Sequence, residues 1–189
     1  MRNYTRRYGG FVSAAMLAAV TASGGGAIAQ AAESASFVFT ANSNGAGGSA
    51  LTSGEYDSAA KSLSEPRPSL NTDLGVVDTN RCVAYAMTQQ FAAARAACDA
   101  AIKDAEQQRA TLSVLGTERA ARHDVALAYS NRAVLNWLSG NMAGAEQDLA
   151  KAKRLAPDAD FVARNLSALH ERKTVTAAAW PNTPAAPPH

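Results

Sequence analysis

"NWLSGNMAGAEQDLAKAKRLAPD", Asn136–Asp158, is the stretch on which the fold turns. Gly140-Asn141 breaks one helical run and opens another. Ala145, Leu149 and Ala152 then recur at helical spacing, and Pro157 stops the run. A helix this short gains its stability from packing an apolar face rather than from propensity. The nearest cover is the run before it, "YSNRAVLNWL", Tyr129–Leu138. Ala133 there is small enough for two helix backbones to approach closely. The expectation is a helical hairpin with Ala133 facing Ala145, and Ala152 left to meet the next helix.

Working outward, the same texture fills the middle of the chain. Helices are expected over Gly54–Ser64 and Asp73–Thr88. Two long ones follow, in "QFAAARAACDAAIKDAEQQRATLSVL" (90–115) and "TERAARHDVALAYSNRAVLNWLS" (117–139), with Thr117 as an N-cap. A fifth lies in "MAGAEQDLAKAKRLA" (142–156) and a sixth over 160–173. Pro66 and Pro68 end the first helix. Hydrophobic residues make up 47% of the 189 and aromatics only 6%, so much of the apolar content is alanine, the best helix former. The fold class is all-α, in one domain. "SFVFT", Ser36–Thr40, suits either a short strand or an extended arm, and "NSNGAGGS" (42–49) is flexible by composition. The tail 174–189 is Pro-rich and expected to be disordered.

The first residues have the layout of a secretory signal peptide. Arg2, Arg6 and Arg7 form a basic start, "FVSAAMLAAVTA" an apolar run, and two cleavage sites follow, the favoured Ala27-Ile28-Ala29 before Gln30 and Ala29-Gln30-Ala31 before Ala32. The apolar run is shorter than the ~20 residues a membrane span needs. The adjacent arginines leave Sec and twin-arginine export both open. Without residues 1–29 the charge balance becomes fifteen basic against sixteen acidic residues, which gives no basic surface for nucleic acid. Cys82 and Cys98 form an even pair in a chain read as exported, where a disulfide is the default.

The chain also repeats itself. "TNRCVAYAMTQQFAAARAACDAAI" aligns with "SNRAVLNWLSGNMAGAEQDLAKAK" at an offset of 51, and Asn131 maps onto Asn165 at an offset of 34. Through Tyr129, Ala133, Gly140, Ala145, Leu149, Ala152 and Pro157, residues 126–159 resemble a tetratricopeptide repeat (TPR). Residues 75–108 resemble one more loosely, through Tyr85, Phe91, Ala94 and Ala101. Gln89 stands at the turn glycine, Glu106 at the closing proline and Asn136 at an aromatic place. The helix 160–173 resembles the cap that ends such arrays, and "SGEYDSAAKSL" the turn and second helix of a further, degenerate unit.

The resemblance implies an exported bacterial TPR-containing protein. Its parts would be a signal peptide (1–29), a flexible N-terminal arm (30–53), a TPR-like α-solenoid (54–173) and a disordered tail (174–189). It implies a groove lined by the first helix of each pair. Asn80, Leu127, Ser130, Asn131, Val134, Trp137, Phe161, Arg164 and Asn165 would line it. The recurring asparagines are suited to a peptide backbone, since an amide side chain both donates and accepts. Trp137 is the anchor candidate. In this frame Cys82 and Cys98 face each other across a hairpin, with two free buried thiols as the alternative. Ser130 and Val134 occupy places where the carboxylate-clamp co-chaperones carry Lys and Asn.

No metal-ligand spacing, P-loop lysine, H-E-x-x-H or G-x-S-x-G is present, so no cofactor, metal or catalytic residue is expected, and the chain is read as not an enzyme. The function implied is a protein- or peptide-binding adaptor or scaffold in the cell envelope, periplasmic or secreted. Its partner would be a protein or peptide, with no stable membrane insertion after signal cleavage. The rival reading is a self-associating structural module, a homo-oligomer included, whose groove is filled by its own chain: by "SFVFT" or by a second copy. An envelope enzyme is the remaining alternative.

Overall fold

A computed structural model describes residues 11–13, 36–64, 74–114 and 118–179. The described residues are mostly helical. A short strand β1 (Phe11–Ser13) pairs antiparallel with β2 (Val38–Thr40). Seven helices follow among the described residues: α1 (Gly48–Thr52), α2 (Tyr56–Ser64), α3 (Leu74–Met87), α4 (Phe91–Val114), α5 (Glu118–Leu138), α6 (Met142–Leu155) and α7 (Asp160–Ala179). Consecutive helices pack on one another, α3 on α4, α4 on α5 and α5 on α6, while α7 packs on both α5 and α6. The expected signal peptide apart from residues 11–13, Pro66, Pro68, Thr117 and the tail from Trp180 onward lie outside the described residues.

One turn, used three times, organises the stack. α1, α3 and α5 are each followed, two positions past their last residue, by a left-handed backbone: Gly54 (φ 80°), Gln89 (φ 60°) and Gly140 (φ 80°). The next amide then reaches back five residues. Glu55 N–H donates to the Ala50 carbonyl, Gln90 N–H to Tyr85 and Asn141 N–H to Asn136, each at 2.8 Å. This is the Schellman closure, which satisfies carbonyls that a helix end leaves open. Four residues beyond each closing amide sits a fully buried alanine: Ala59, Ala94 and Ala145. The small side chain at that point lets the second helix of each pair lie against the first. The three units are therefore α1–α2, α3–α4 and α5–α6, the first cut down to a five-residue opening helix. Gln89 adopts the conformation that glycine takes in the other two turns.

The helices are joined by specific contacts as well as by alanine packing. Cys82 of α3 is bonded to Cys98 of α4, with Cα atoms 4.8 Å apart. The Asp148 carboxylate of α6 is buried beneath α5. It accepts from Arg132 Nε (2.9 Å) and Nη2 (2.7 Å) and from Asn136 Nδ2 (2.9 Å). Arg132 Nη1 continues to Asp99 of α4 at 2.8 Å. Asn136, at the place where the repeat pattern has an aromatic residue, thus completes a paired and hydrogen-bonded charge, the form in which a charge can be buried. The Tyr129 hydroxyl of α5 donates to Glu106 of α4 at 2.8 Å.

The main core gathers Val83, Ala94, Cys98, Ala133, Val134, Leu135 and Leu149 from the helices, and Phe37, Phe39 and Ala41 from the segment before α1. A smaller cluster at the other end joins Ala126, Leu127, Ala152, Phe161 and Val162. α7 runs six residues past Lys173, to Ala179. Thr174–Ala179 contains no Gly or Pro and ends in three alanines, so nothing stops the helix before Pro181.

Residues 43–48, read as flexible from composition, form a tight turn. Gly45 N–H donates to the Asn42 carbonyl at 3.1 Å, and Asn44 N–H to Asn42 Oδ1 at 3.1 Å. A Cβ on Gly45 would come within 2.2 Å of Val76 Cγ1, and one on Gly48 within 2.1 Å of the Asn42 carbonyl oxygen. Glycine is needed at these two positions for close approach.

Candidate functional site

The three recurring asparagines sit on one face, Asn80 on α3, Asn131 on α5 and Asn165 on α7. All three are fully buried, at 0%, 1% and 0% relative exposure. Each holds both backbone polar groups of one residue in the extended segment that crosses this face. Asn165 Oδ1 accepts from Val38 N–H (2.7 Å) while its Nδ2 donates to the Val38 carbonyl (3.0 Å). Asn131 does the same with Thr40, at 2.9 Å both ways. Asn80 does so with Asn42, at 2.8 and 3.0 Å.

The register follows from the geometry of a strand. N–H and C=O of one residue point to the same edge, and those of the next residue to the other, so every second residue presents both groups to one edge. Val38, Thr40 and Asn42 differ by two residues each, a step of about 7 Å. Successive first helices carry their asparagines at a matching step. The segment runs from the α7 end of the face to the α3 end. Two asparagines make additional bonds that fix the amide orientation. Asn165 Nδ2 also donates to Ser130 Oγ (2.9 Å), and Asn80 Nδ2 to the Ala46 carbonyl (2.9 Å).

Apolar contacts flank this ladder. The Phe37 ring stacks on Trp137 with centroids 4.5 Å apart, and the Arg172 guanidinium lies 5.7 Å from the same indole. Phe37 and Phe39 pack in the main core with Val134. The Thr40 hydroxyl is buried without a hydrogen-bond partner.

Of the residues singled out in the sequence, the structure brings Asn80, Asn131, Asn165, Ser130, Val134 and Trp137 together around the extended segment. Leu127 and Phe161 lie apart, in the smaller cluster, where Phe161 meets His123 edge-on at 5.2 Å. Burial lowers the pKa of that histidine below its usual value. Arg164 is exposed. Of the segment itself, sequence reasoning names "SFVFT" (36–40) only as the rival filler of the groove, and leaves Ala41 and Asn42 out. The segment's available signal was the alternation of Phe37 and Phe39 in "SFVFT".

No helix among the described residues is long and apolar enough to cross a membrane. No family model matches the chain, nor does any curated protein or solved structure.

Proposed function

We propose that this chain is an exported TPR-type α-solenoid that serves as a scaffold module of the cell envelope, its peptide groove closed in cis by its own N-terminal arm. The observation that carries this reading is the asparagine ladder: three amide side chains, one per successive helix, hold alternate residues of one extended strand through backbone atoms alone. That arrangement is a peptide-binding mode, backbone capture of an extended chain, with residues 37–42 as the resident peptide. The tight turn at 43–48 supports seating in cis, because it carries the arm directly from α1 to the face beside it. The disulfide between α3 and α4 is in keeping with an oxidising compartment.

A second reading, an adaptor that takes a partner's segment in the same groove, is favoured by the absence of side-chain selection in the ladder. It requires the arm to leave, since Trp137 is already stacked on Phe37. The test is a labelled peptide of residues 36–42 titrated into the full chain and into a Phe37→Ala, Phe39→Ala variant, with the mass of each measured in solution. The closed module is monomeric and takes the peptide only in the variant. Tight binding to the unmodified chain supports the adaptor instead, and a dimer that persists on dilution shows the arm exchanged between copies.

A further inference from the structure

β2 has two edges, and the asparagines occupy only one. Because backbone groups alternate along a strand, the N–H and C=O of Phe39 point away from Asn131 and Asn165. Phe39 is fully buried, and a buried backbone amide or carbonyl must find a partner. In the structure that partner is β1, with Phe11 opposite Thr40, Val12 opposite Phe39 and Ser13 opposite Val38. β1 belongs to the segment read as a signal peptide. Cleavage before Gln30 would remove it and leave the outer edge of β2 without its neighbour.

We propose that this outer edge is a strand-addition site: in the processed protein it takes an extended, apolar, antiparallel segment of a partner protein, in the place and register that Phe11–Ser13 holds here. The two edges then have different tasks. The inner one is held by side-chain amides and makes the arm part of the fold. The outer one is an unpaired strand edge, the feature by which sheets recruit extended peptides. The partner's chemistry follows from its occupant, "FVS" within "GGFVSAAM": small and β-branched or aromatic residues, no charge, and no proline where Phe39 needs a donor and an acceptor. The proposal rests on the reading proposed above, an exported chain whose signal peptide is removed and whose arm is seated, and goes beyond it by assigning a ligand to the opposite edge.

The experiment keeps the full chain and opens the edge with Val12→Pro, which removes the N–H facing Phe39 and cannot sit in a paired strand. Val12→Ala is the control, and the probe is a labelled peptide of residues 8–16. Hydrogen exchange is followed at residues 38–42. The Phe39 amide should exchange at least about tenfold faster in Val12→Pro than in the unmodified chain or Val12→Ala, and the added peptide should restore its protection. A peptide with proline at the position of Val12 should not. Amides of Val38, Thr40 and Asn42 should be equally protected throughout, because the asparagines hold them. Equal Phe39 exchange in Val12→Pro and the unmodified chain, or no restoration by the peptide, overturns the proposal. Restoration by raising protein concentration alone, with doubled mass, overturns it in favour of a second copy. Rapid exchange at Val38, Thr40 and Asn42 in the unmodified chain would overturn the seated arm, and this proposal with it.

Discussion

Asn131→Ala tests the ladder at its centre. Asn131 is 1% exposed and spans the backbone of Thr40 with two bonds of 2.9 Å, one accepted and one donated. Removing the side chain leaves a buried N–H and a buried C=O without partners. Each such orphan costs about 1–3 kcal/mol, so the site loses about 2–6. Alanine is a better helix former than asparagine by roughly 0.6 kcal/mol, which offsets a small part. The expected net loss is about 1.5–5.5 kcal/mol, unless the arm can leave its site more cheaply than that. In that event the cost is capped at the free energy with which the arm docks, and the arm detaches.

The two outcomes separate experimentally. Denaturant unfolding gives the total loss, and hydrogen exchange at Val38, Thr40 and Asn42 shows whether protection fails at Thr40 alone or along the whole segment. Tryptophan emission adds a third reading, since release of the arm unstacks Phe37 from Trp137 and wets the indole. Asn131→Asp is the sharper companion. It keeps an acceptor for the Thr40 amide but turns a second oxygen toward the Thr40 carbonyl, and should be at least as damaging at neutral pH. A loss below about 0.5 kcal/mol in Asn131→Ala, with Thr40 exchange unchanged, would refute the argument that these amides hold the arm.

Three further outcomes follow from other parts of the fold. Reducing the Cys82–Cys98 bond, or replacing both cysteines by alanine, should lower stability by roughly 3 kcal/mol for a loop of this size, read as a shift of the unfolding midpoint with and without reductant; no shift would mean the hairpin closes as well without the bond. Gln89→Gly should stabilise by about 0.5–1 kcal/mol, because Gln89 holds a left-handed backbone that glycine adopts freely; a loss of stability would show that the glutamine side chain matters more than the turn. Tyr129 is pushed up to about 12 by burial, then by its bond to Glu106 and the charge there, with Arg132 acting in the opposite direction. The folded state therefore binds this proton more tightly than the unfolded state does. Its contribution is complete below pH 10 and disappears as pH rises through 10 to 12, so Tyr129→Phe should lose the part of the alkaline stability slope that the parent shows in that window, checked beside a phenolate absorbance titration.

Much of the helical architecture was legible because it rests on local patterns. Ala133, Ala145, Leu149 and Ala152 announce a close hairpin by size and spacing, and the offset of 51 between Asn80 and Asn131 marks equivalent helices. What was not legible is which backbone the side-chain amides meet, and in what register. An asparagine on a helix face announces that it can donate and accept, but its partner here is the main chain of residues 38–42, and main-chain groups leave no mark in the sequence. Glycine composition was ambiguous for the same reason. Gly45 and Gly48 read as slack, yet the first stands against Val76 and the second against the Asn42 carbonyl, so they are glycines of contact. The opening helix α1 was hidden too, since five residues are too few for a 3.6-residue period to declare itself.

The ladder also explains why this arm needs so little sequence of its own. A strand added to a sheet edge is specified by many side-chain contacts along both faces. Here register is fixed by three asparagines on helices whose separation is set by the packing of α3, α5 and α7. A slip of one residue would offer the backbone groups of Phe37, Phe39 and Ala41 to the same asparagines and keep the ladder, but would turn Phe37 and Phe39 from the face on which they enter the core. A slip of two would keep the ladder in phase, but would move Phe37 off Trp137 and displace the Asn42 turn from Gly45 and Gly48. The burial of Phe37 and Phe39 thus excludes odd registers, and the aromatic stack with the glycine turn excludes the even ones. Backbone capture that is blind to side chains becomes specific only because the arm is anchored at both ends, and a free peptide with the same backbone lacks that second condition.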